Sequence, residues 1–321
     1  MNIAITGVSG YIGSKLLAYL DRQDNIQRIV GIDVQAPSVK SAKLKFYQHD
    51  VRQPFGDFFI ENAVDTVVHL AFILRPTRNT TLARQVDIGG TMNLLDACRQ
   101  AKVKHLIYLS SHTAYGAHKD NPVPLTEDSP LRPIPGFQYS HDKVEIEQAL
   151  CDFGASGNNT TITILRSCPG VGANAVGTAT TIMFTPFVML GITGSDAPMQ
   201  FIHEDDLINI MAMFIGRGKG GIYNVAGDGT LKYSEVARLL HKRLLKLPFK
   251  LLEAAVSFAW AVHIQSAAPA GCLHFIQYPP VVSTAKLKRE LGYEFMYSSK
   301  EALSALADCD IMRRDKRKNR G

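Results

Sequence analysis

Asn2-Ile3-Ala4-Ile5-Thr6-Gly7-Val8-Ser9-Gly10-Tyr11-Ile12-Gly13 opens the chain, a short apolar run followed by a turn with glycine at every third position. Ile12, Leu16, Leu17 and Leu20 then recur at helical spacing, so the pattern predicts strand, tight turn, helix. Gly7 permits the tight turn. Gly10 lets the backbone approach a pyrophosphate, and Gly13 lets the helix pack close to the strand. The helix N-terminus offers unpaired N–H groups and the positive end of its dipole to phosphate oxygens. A second apolar run, Arg28–Asp33, ends in an acid 20 residues after Gly13. A carboxylate at Asp33 hydrogen-bonds an adenosine ribose 2′-OH and repels a 2′-phosphate, which predicts NAD over NADP. Lys40, Lys43 and Lys45 lie nearby in sequence and argue the other way. Gly13 is followed by Ser14-Lys15, not Lys-Ser/Thr, which excludes a nucleoside-triphosphate P-loop.

The alternation continues. Leu44–Gln48 and residues 65–70, 104–110 and 160–166 read as strands, and 80–100 and 137–153 as helices. This rhythm predicts an α/β fold, a doubly wound parallel sheet of the Rossmann type, with ligands at the carboxyl ends of its strands. Residues 1–166 are assigned to the NAD-binding domain, with 201–229 returning to it. Residues 167–200, rich in Gly, Thr and Pro, and 230–297 are assigned to a smaller C-terminal substrate lobe, with 233–246 read as a helix.

Bulk properties narrow the class. The 321 residues are 46% hydrophobic and 20% charged, an ordinary globular balance. Of the net charge of +6, five units come from Arg313, Arg314, Lys316, Arg317, Lys318 and Arg320 against Asp315, so the body is near neutral. The tail 310–321 is expected to be basic, flexible and solvated, with no specific nucleic-acid partner. The five cysteines (Cys98, Cys151, Cys168, Cys272, Cys309) are an odd set without CxxC, and the histidines show no HExxH. These features predict reduced thiols, no metal site and a cytoplasmic location. No leader is expected ahead of the first strand. The apolar stretch 251–264, interrupted by Glu253 and His263, is too short for a membrane span. It reads as a core or lobe-packing helix, with a membrane-surface helix as the lesser alternative.

Tyr139-Ser140-His141-Asp142-Lys143 places a phenol and an ammonium at i and i+4 on one helical face. A nearby cation favours the phenolate, which would make Tyr139 a usable general acid–base. The strand before it ends in Leu109-Ser110-Ser111, and a hydroxyl there can hold a carbonyl or alcohol oxygen. With these motifs in order, the chain resembles the extended short-chain dehydrogenase/reductase superfamily, in its NAD-dependent epimerase/dehydratase branch. The resemblance is carried by TGVSGYIG at 6–13, Asp33, His49-Asp50-Val51, VHLA at 68–71, Gly90-Thr91-Met92-Asn93, SSHTAYG at 110–116, YSHDK, FIHEDDL at 201–207 and YNVAG at 223–227.

The resemblance implies a catalytic set of Ser111, Tyr139 and Lys143, with Lys143 binding the nicotinamide ribose. It implies cofactor contacts from Gly7, Gly10, Tyr11, Ile12, Gly13, Asp33, Asp50, Val51, Leu70 and Ala71. It also implies a homodimer through helices in 80–100 and 137–153. Departures bear on the substrate. Pro169 stands where nucleotide-sugar enzymes of this branch carry Asn, and Met199 where they carry a phosphate-binding Arg, so a UDP-sugar is disfavoured. His112-Thr113 stand where sugar dehydratases place Asp-Glu, which argues against 4,6-dehydration. Asp87 replaces an Asn, and His141 and His203 read as structural. The expectation is an NAD-dependent oxidoreductase or epimerase acting on a secondary alcohol or ketone of a sugar-like small molecule. The alternatives are a UDP-sugar 4-epimerase proper and a non-catalytic NAD-sensing protein.

Overall fold

Alternate residues of each central strand point to opposite sides of one sheet, and both sides are apolar. The structure, a computed structural model, describes residues 1–74, 76–175, 188–265 and 269–308. The strands are β1 (Asn2–Thr6), β2 (Arg28–Asp33), β3 (Leu44–Gln48), β4 (Thr66–His69), β5 (His105–Ser111), β6 (Thr161–Ser167) and β7 (Gly221–Val225). They pair in parallel in the order β3-β2-β1-β4-β5-β6-β7. Ile3, Ile5, Ile29, Val68, Ile107 and Leu165 pack on one side with helices Tyr11–Asp21 and Glu204–Arg217. Ala4, Val30, Val67, Leu106 and Ile164 pack on the other with Gly90–Ala101 and Gln138–Ala155. This two-sided burial is why the strands read as continuous apolar runs. The fold is the doubly wound Rossmann-type sheet that the alternation predicts.

A third apolar cluster forms beyond the sheet, from Val171, Met189, Met199, Phe201, Leu231, Tyr233, Val236, Leu303 and Leu306. Helix Ser299–Ala307, past the lobe boundary drawn at 297, contributes to it. The helix expected at 233–246 is corrected. Helix Tyr233–Leu239 stops near His241, whose φ is +55°, and Arg243–Leu247 is a strand paired in parallel with Val188–Ile192. A distant strand partner overrides the helical look of Lys-Arg-Leu-Leu-Lys-Leu. Residues 251–264 give helix Phe249–Ala261, in which only Leu252 is buried, so it is not a core helix. Cys98, Cys151, Cys168 and Cys272 are free thiols. Cys309 and the basic tail lie outside the described residues. Among the described residues no helix is long and apolar enough to cross a membrane.

Candidate active site

The strand order reverses between β1 and β4, so the crossovers on either side part there and leave a crevice at the strands' carboxyl ends. The glycine turn lies in it. Gly7 has φ +74°, and a Cβ on it would lie 2.7 Å from Ala71 N and from the Leu70 carbonyl carbon. A Cβ on Gly13 would fall 2.1 Å from Gly7 O. Gly10 is the N-cap of helix Tyr11–Asp21 and makes no side-chain cap bond, so the first N–H groups of that helix are left to a ligand. Leu70 N donates to Thr6 O at 3.0 Å, and Ala71 N to Thr6 Oγ1 at 3.4 Å, which fixes the opposite wall. Ile12 packs on the sheet. Tyr11 leans on the third cluster, with its buried hydroxyl lacking a partner among the described residues.

Asp33 ends β2 beside this turn. Its Oδ2 accepts from Ser9 N at 3.0 Å and its Oδ1 from Gln35 N at 3.2 Å, so the carboxylate is pinned where a ribose would lie. Two of the three lysines that argued for a 2′-phosphate, Lys43 and Lys45, are drawn elsewhere. Lys43 Nζ donates to Gln23 O at 2.7 Å, and Lys45 Nζ lies 3.7 Å from Glu61. Asp50 is ion-paired with Arg52 at 2.6 Å, and this hydrogen bond holds its carboxyl below the usual range. Val51 is buried against Gly90, and its carbonyl accepts from Asn93 Nδ2 at 2.9 Å. A cradle closed to any Cβ at Gly7 and Gly13, an uncapped helix start and a pinned acid fit a dinucleotide with a free 2′-OH.

The crevice wall at β5 holds the hydroxyls. Ser111 ends the strand, and its Oγ accepts from Thr113 N at 3.2 Å. Thr113 Oγ1 donates to it as well, at 2.9 Å, and the Ser111 side chain lies close enough to the Tyr139 phenol to favour its ionised form, so the structure places these two predicted residues side by side. Helix Gln138–Ala155 puts Tyr139, Lys143 and Glu147 on one face at i, i+4 and i+8. Lys143 Nζ donates to the Tyr108 hydroxyl and to Leu109 O, both at 2.9 Å. It also sits 3.8 Å from the Phe72 ring centroid and 5.6 Å from that of Tyr139. Glu147 is ion-paired with Arg166 at 2.8 Å and accepts from Ser110 Oγ. Arg166 donates to the Tyr115 hydroxyl at 2.8 Å, which donates to Asn224 Oδ1 at 2.8 Å. The helix that carries Tyr139 is thus fastened to β5, β6 and β7.

Burial dominates the electrostatics. It pushes the Tyr139 phenol up to about 12, against the opposing influence of Ser111. Lys143 is not among the groups that move this phenol, and desolvation is the largest influence on it. Burial also brings the Lys143 ammonium down to about 7, although the carboxylates of Asp87, Glu147 and Asp142 pull the other way. Asp87 itself is raised to about 7 by burial. It lies in a π turn, Gln85–Gly89, and its Oδ1 accepts from Ile73 N at 2.8 Å.

A cavity of about 240 Å³ adjoins Tyr139, lined among others by Ile73, Arg78, Asp87, Phe137 and Trp260. The Arg78 guanidinium lies 4.5 Å over the Trp260 ring and donates to Trp260 O at 2.7 Å and Gln265 O at 3.0 Å. Arg78, Trp260, Phe72 and Tyr108 were not found by sequence reasoning, since each acts through a tertiary contact with no spacing signal.

The departures have physical settings. Met199 is buried in the third cluster and pairs with Leu231, while Pro169 offers its carbonyl to Ile202 N at 3.1 Å. His112 is buried, which lowers its imidazole to about 4 and keeps it neutral. His141 Nε2 lies 3.0 Å from Ile134 O. His203 stacks on Tyr297 at 3.8 Å and accepts from Asp205 N. Both serve the local backbone, as structural histidines do.

Comparison with known proteins supplies the frame. The model of the NAD dependent epimerase/dehydratase family matches residues 3–226. An uncharacterised protein of Mycobacterium tuberculosis is 28% identical over 308 residues, 94% of this chain and 81% of that one. A UDP-glucose 4-epimerase of Lactobacillus helveticus is 30% identical over 185 residues, 55% of this chain and 54% of its own length. Among solved structures, a Thermotoga maritima UDP-glucose 4-epimerase with UDP-glucose has a TM-score of 0.77 at 18% identity, covering 98% of this chain and 100% of that one. The UDP-glucuronic acid 4-epimerase of Bacillus cereus in complex with NAD has a TM-score of 0.74 at 20% identity, covering 98% and 99%. These two likenesses establish the fold. The family match spans well over half of the chain, and the protein therefore belongs to the NAD-dependent epimerase/dehydratase family, NAD-requiring enzymes of the extended short-chain dehydrogenase/reductase type.

Proposed function

We propose that this enzyme oxidises and reduces a secondary alcohol or ketone centre of a sugar-like molecule, with Tyr139 as the acid–base. The observation that carries the reading is the convergence of three groups beside the cavity: Tyr139 lines it, the Lys143 ammonium lies 5.6 Å from the Tyr139 ring centroid, and Ser111 ends β5 close enough to act on the phenol. Bound NAD supplies the hydride acceptor and donor. Gly7, Gly10, Tyr11, Ile12 and Gly13 would hold its pyrophosphate side, Asp33 a ribose, Asp50 and Val51 the adenine side, and Leu70 and Ala71 the facing wall. Lys143 would serve the nicotinamide ribose. Ser111 fixes the substrate oxygen by a hydrogen bond. On oxidation Tyr139 Oη would take the hydroxyl proton as the phenolate, and on reduction the phenol so formed would return it. A phenol that keeps its proton to high pH is set up to donate to a forming alkoxide.

The buried Met199 and the Pro169 carbonyl supply no cation for a nucleotide diphosphate, which supports a substrate without that group. The UDP-glucose 4-epimerase reading is the second one, favoured by the 30% identity to the Lactobacillus helveticus enzyme. Residues 167–200 and 230–297 would form the substrate lobe in either case. Helices at 80–101 and 138–155, the first with Leu82 and Met92 exposed, would pair in a homodimer. Mass spectrometry of small molecules retained by the purified protein tests the substrate class. A retained UDP-sugar overturns the inference from Met199. NADH accumulating with turnover marks a dehydrogenase, and turnover without it marks an epimerase.

A further inference from the structure

Helix Phe249–Ala261 carries two apolar stripes, and the fold uses one. Leu252 is buried with Ile192 and Leu273, and Phe249 and Val256 pack against that cluster. On the opposite side Leu251, Ala254, Ala255, Phe258, Ala261 and Val262 recur at helical spacing and face solvent. Leu251 is 57% exposed, Phe258 66%, Val262 45% and Ile264, just beyond, 75%. Two more exposed leucines lie on the paired strands Val188–Ile192 and Arg243–Leu247. The register partners Leu190 and Leu245, both exposed, share a sheet face with Ile192 and Leu247, which join the Leu252 cluster.

The sequence that flanks this helix is rich in cations. Between His241 and Gln265 stand Lys242, Arg243, Lys246 and Lys250, with Glu253 the one acid. Arg243, Lys246 and Lys250 are exposed. Leu306 and Ala307, near the end of the described chain, belong to the same cluster as Leu240 and Leu244. Residues 313–320, outside the described residues, carry six cations against Asp315. Exposed leucine and phenylalanine flanked by lysine and arginine match the acyl–headgroup boundary of an anionic bilayer. A second copy of this chain would bring like charge against like charge.

We propose that this face docks on anionic phospholipid membranes, with helix Phe249–Ala261 lying in the plane of the interface, so that the enzyme works at a membrane surface. The test uses the full chain with vesicles of phosphatidylcholine alone, and of phosphatidylcholine with roughly one third phosphatidylglycerol. Expected are flotation with the anionic vesicles only and its weakening with added salt. The double substitution Leu251→Ser, Phe258→Ser, at positions exposed in the fold, lowers the partition coefficient at least about tenfold. Absence of flotation with anionic vesicles overturns the proposal. So does undiminished flotation of the double variant, which would assign binding to the tail cations alone. A third overturning result is an oligomer that the double variant dissociates while neither protein binds vesicles, which would give the face to a second copy. Each readout is independent of turnover, so failure here is separate from failure of the proposed chemistry.

Discussion

Replacing Lys143 with methionine tests the electrostatics of the site through stability. The Lys143 ammonium is buried, held by Tyr108 and Leu109, and brought down from 10.5 to about 7 chiefly by burial. In the unfolded chain the same lysine titrates near its ordinary value. Below pH 7 both states are protonated, and the folded state bears the full desolvation penalty. Between about 7 and 10.5 the unfolded chain binds more protons, so stability rises with pH at about 1.4 kcal/mol per unit. From pH 7 to pH 9 the wild type should therefore gain about 2 kcal/mol over Lys143→Met, which lacks the titrating group. Urea unfolding of both proteins at the two pH values gives the difference directly. A gap that is the same at pH 7 and pH 9 would refute the reasoning, because it would mean that Lys143 titrates as an exposed lysine does.

Three further outcomes are expected. Tyr139→Phe should lower kcat by about 10²- to 10⁴-fold while NAD binding, followed by fluorescence titration, stays intact; full turnover would remove Tyr139 from the chemistry. Asp33→Ser should reduce discrimination against NADP by at least about tenfold, since like-charge juxtaposition costs several kcal/mol; unchanged cofactor preference would place the 2′-OH elsewhere. Glu147→Gln should destabilise the fold by about 3–5 kcal/mol, because Arg166 would be left buried without its countercharge; a thermal midpoint equal to wild type would show the pair to be dispensable.

What was legible in the sequence was local or repetitive. Gly7, Gly10 and Gly13 announce the turn because only glycine tolerates the close approaches found there. The central strands are visible because burial on both faces leaves no polar alternation to confuse the pattern. Tyr139 and Lys143 share a face because four residues make roughly a helical turn. What was hidden depends on contacts between distant segments. Strand Arg243–Leu247 exists because Val188–Ile192 lies beside it, and no spacing within 233–246 reports that. Arg78 and Trp260 meet across 182 residues. The upward shift of the Tyr139 phenol is a property of enclosure, which a five-residue motif cannot express.

Tyr139, Lys143 and Glu147 occupy successive turns of one helix, and Glu147 is the tooth that locks into Arg166. The spacing of phenol, cation and anchor is therefore inherited from helical pitch, about 5.4 Å per turn. Inserting a single residue between Tyr139 and Glu147 would swing one end by about 100° relative to the other. Either the lock or the chemistry would then face the wrong way. New specificities can consequently arise by reshaping the walls around Phe137 and Trp260, whereas this rod tolerates substitution along its outer side and no change in length.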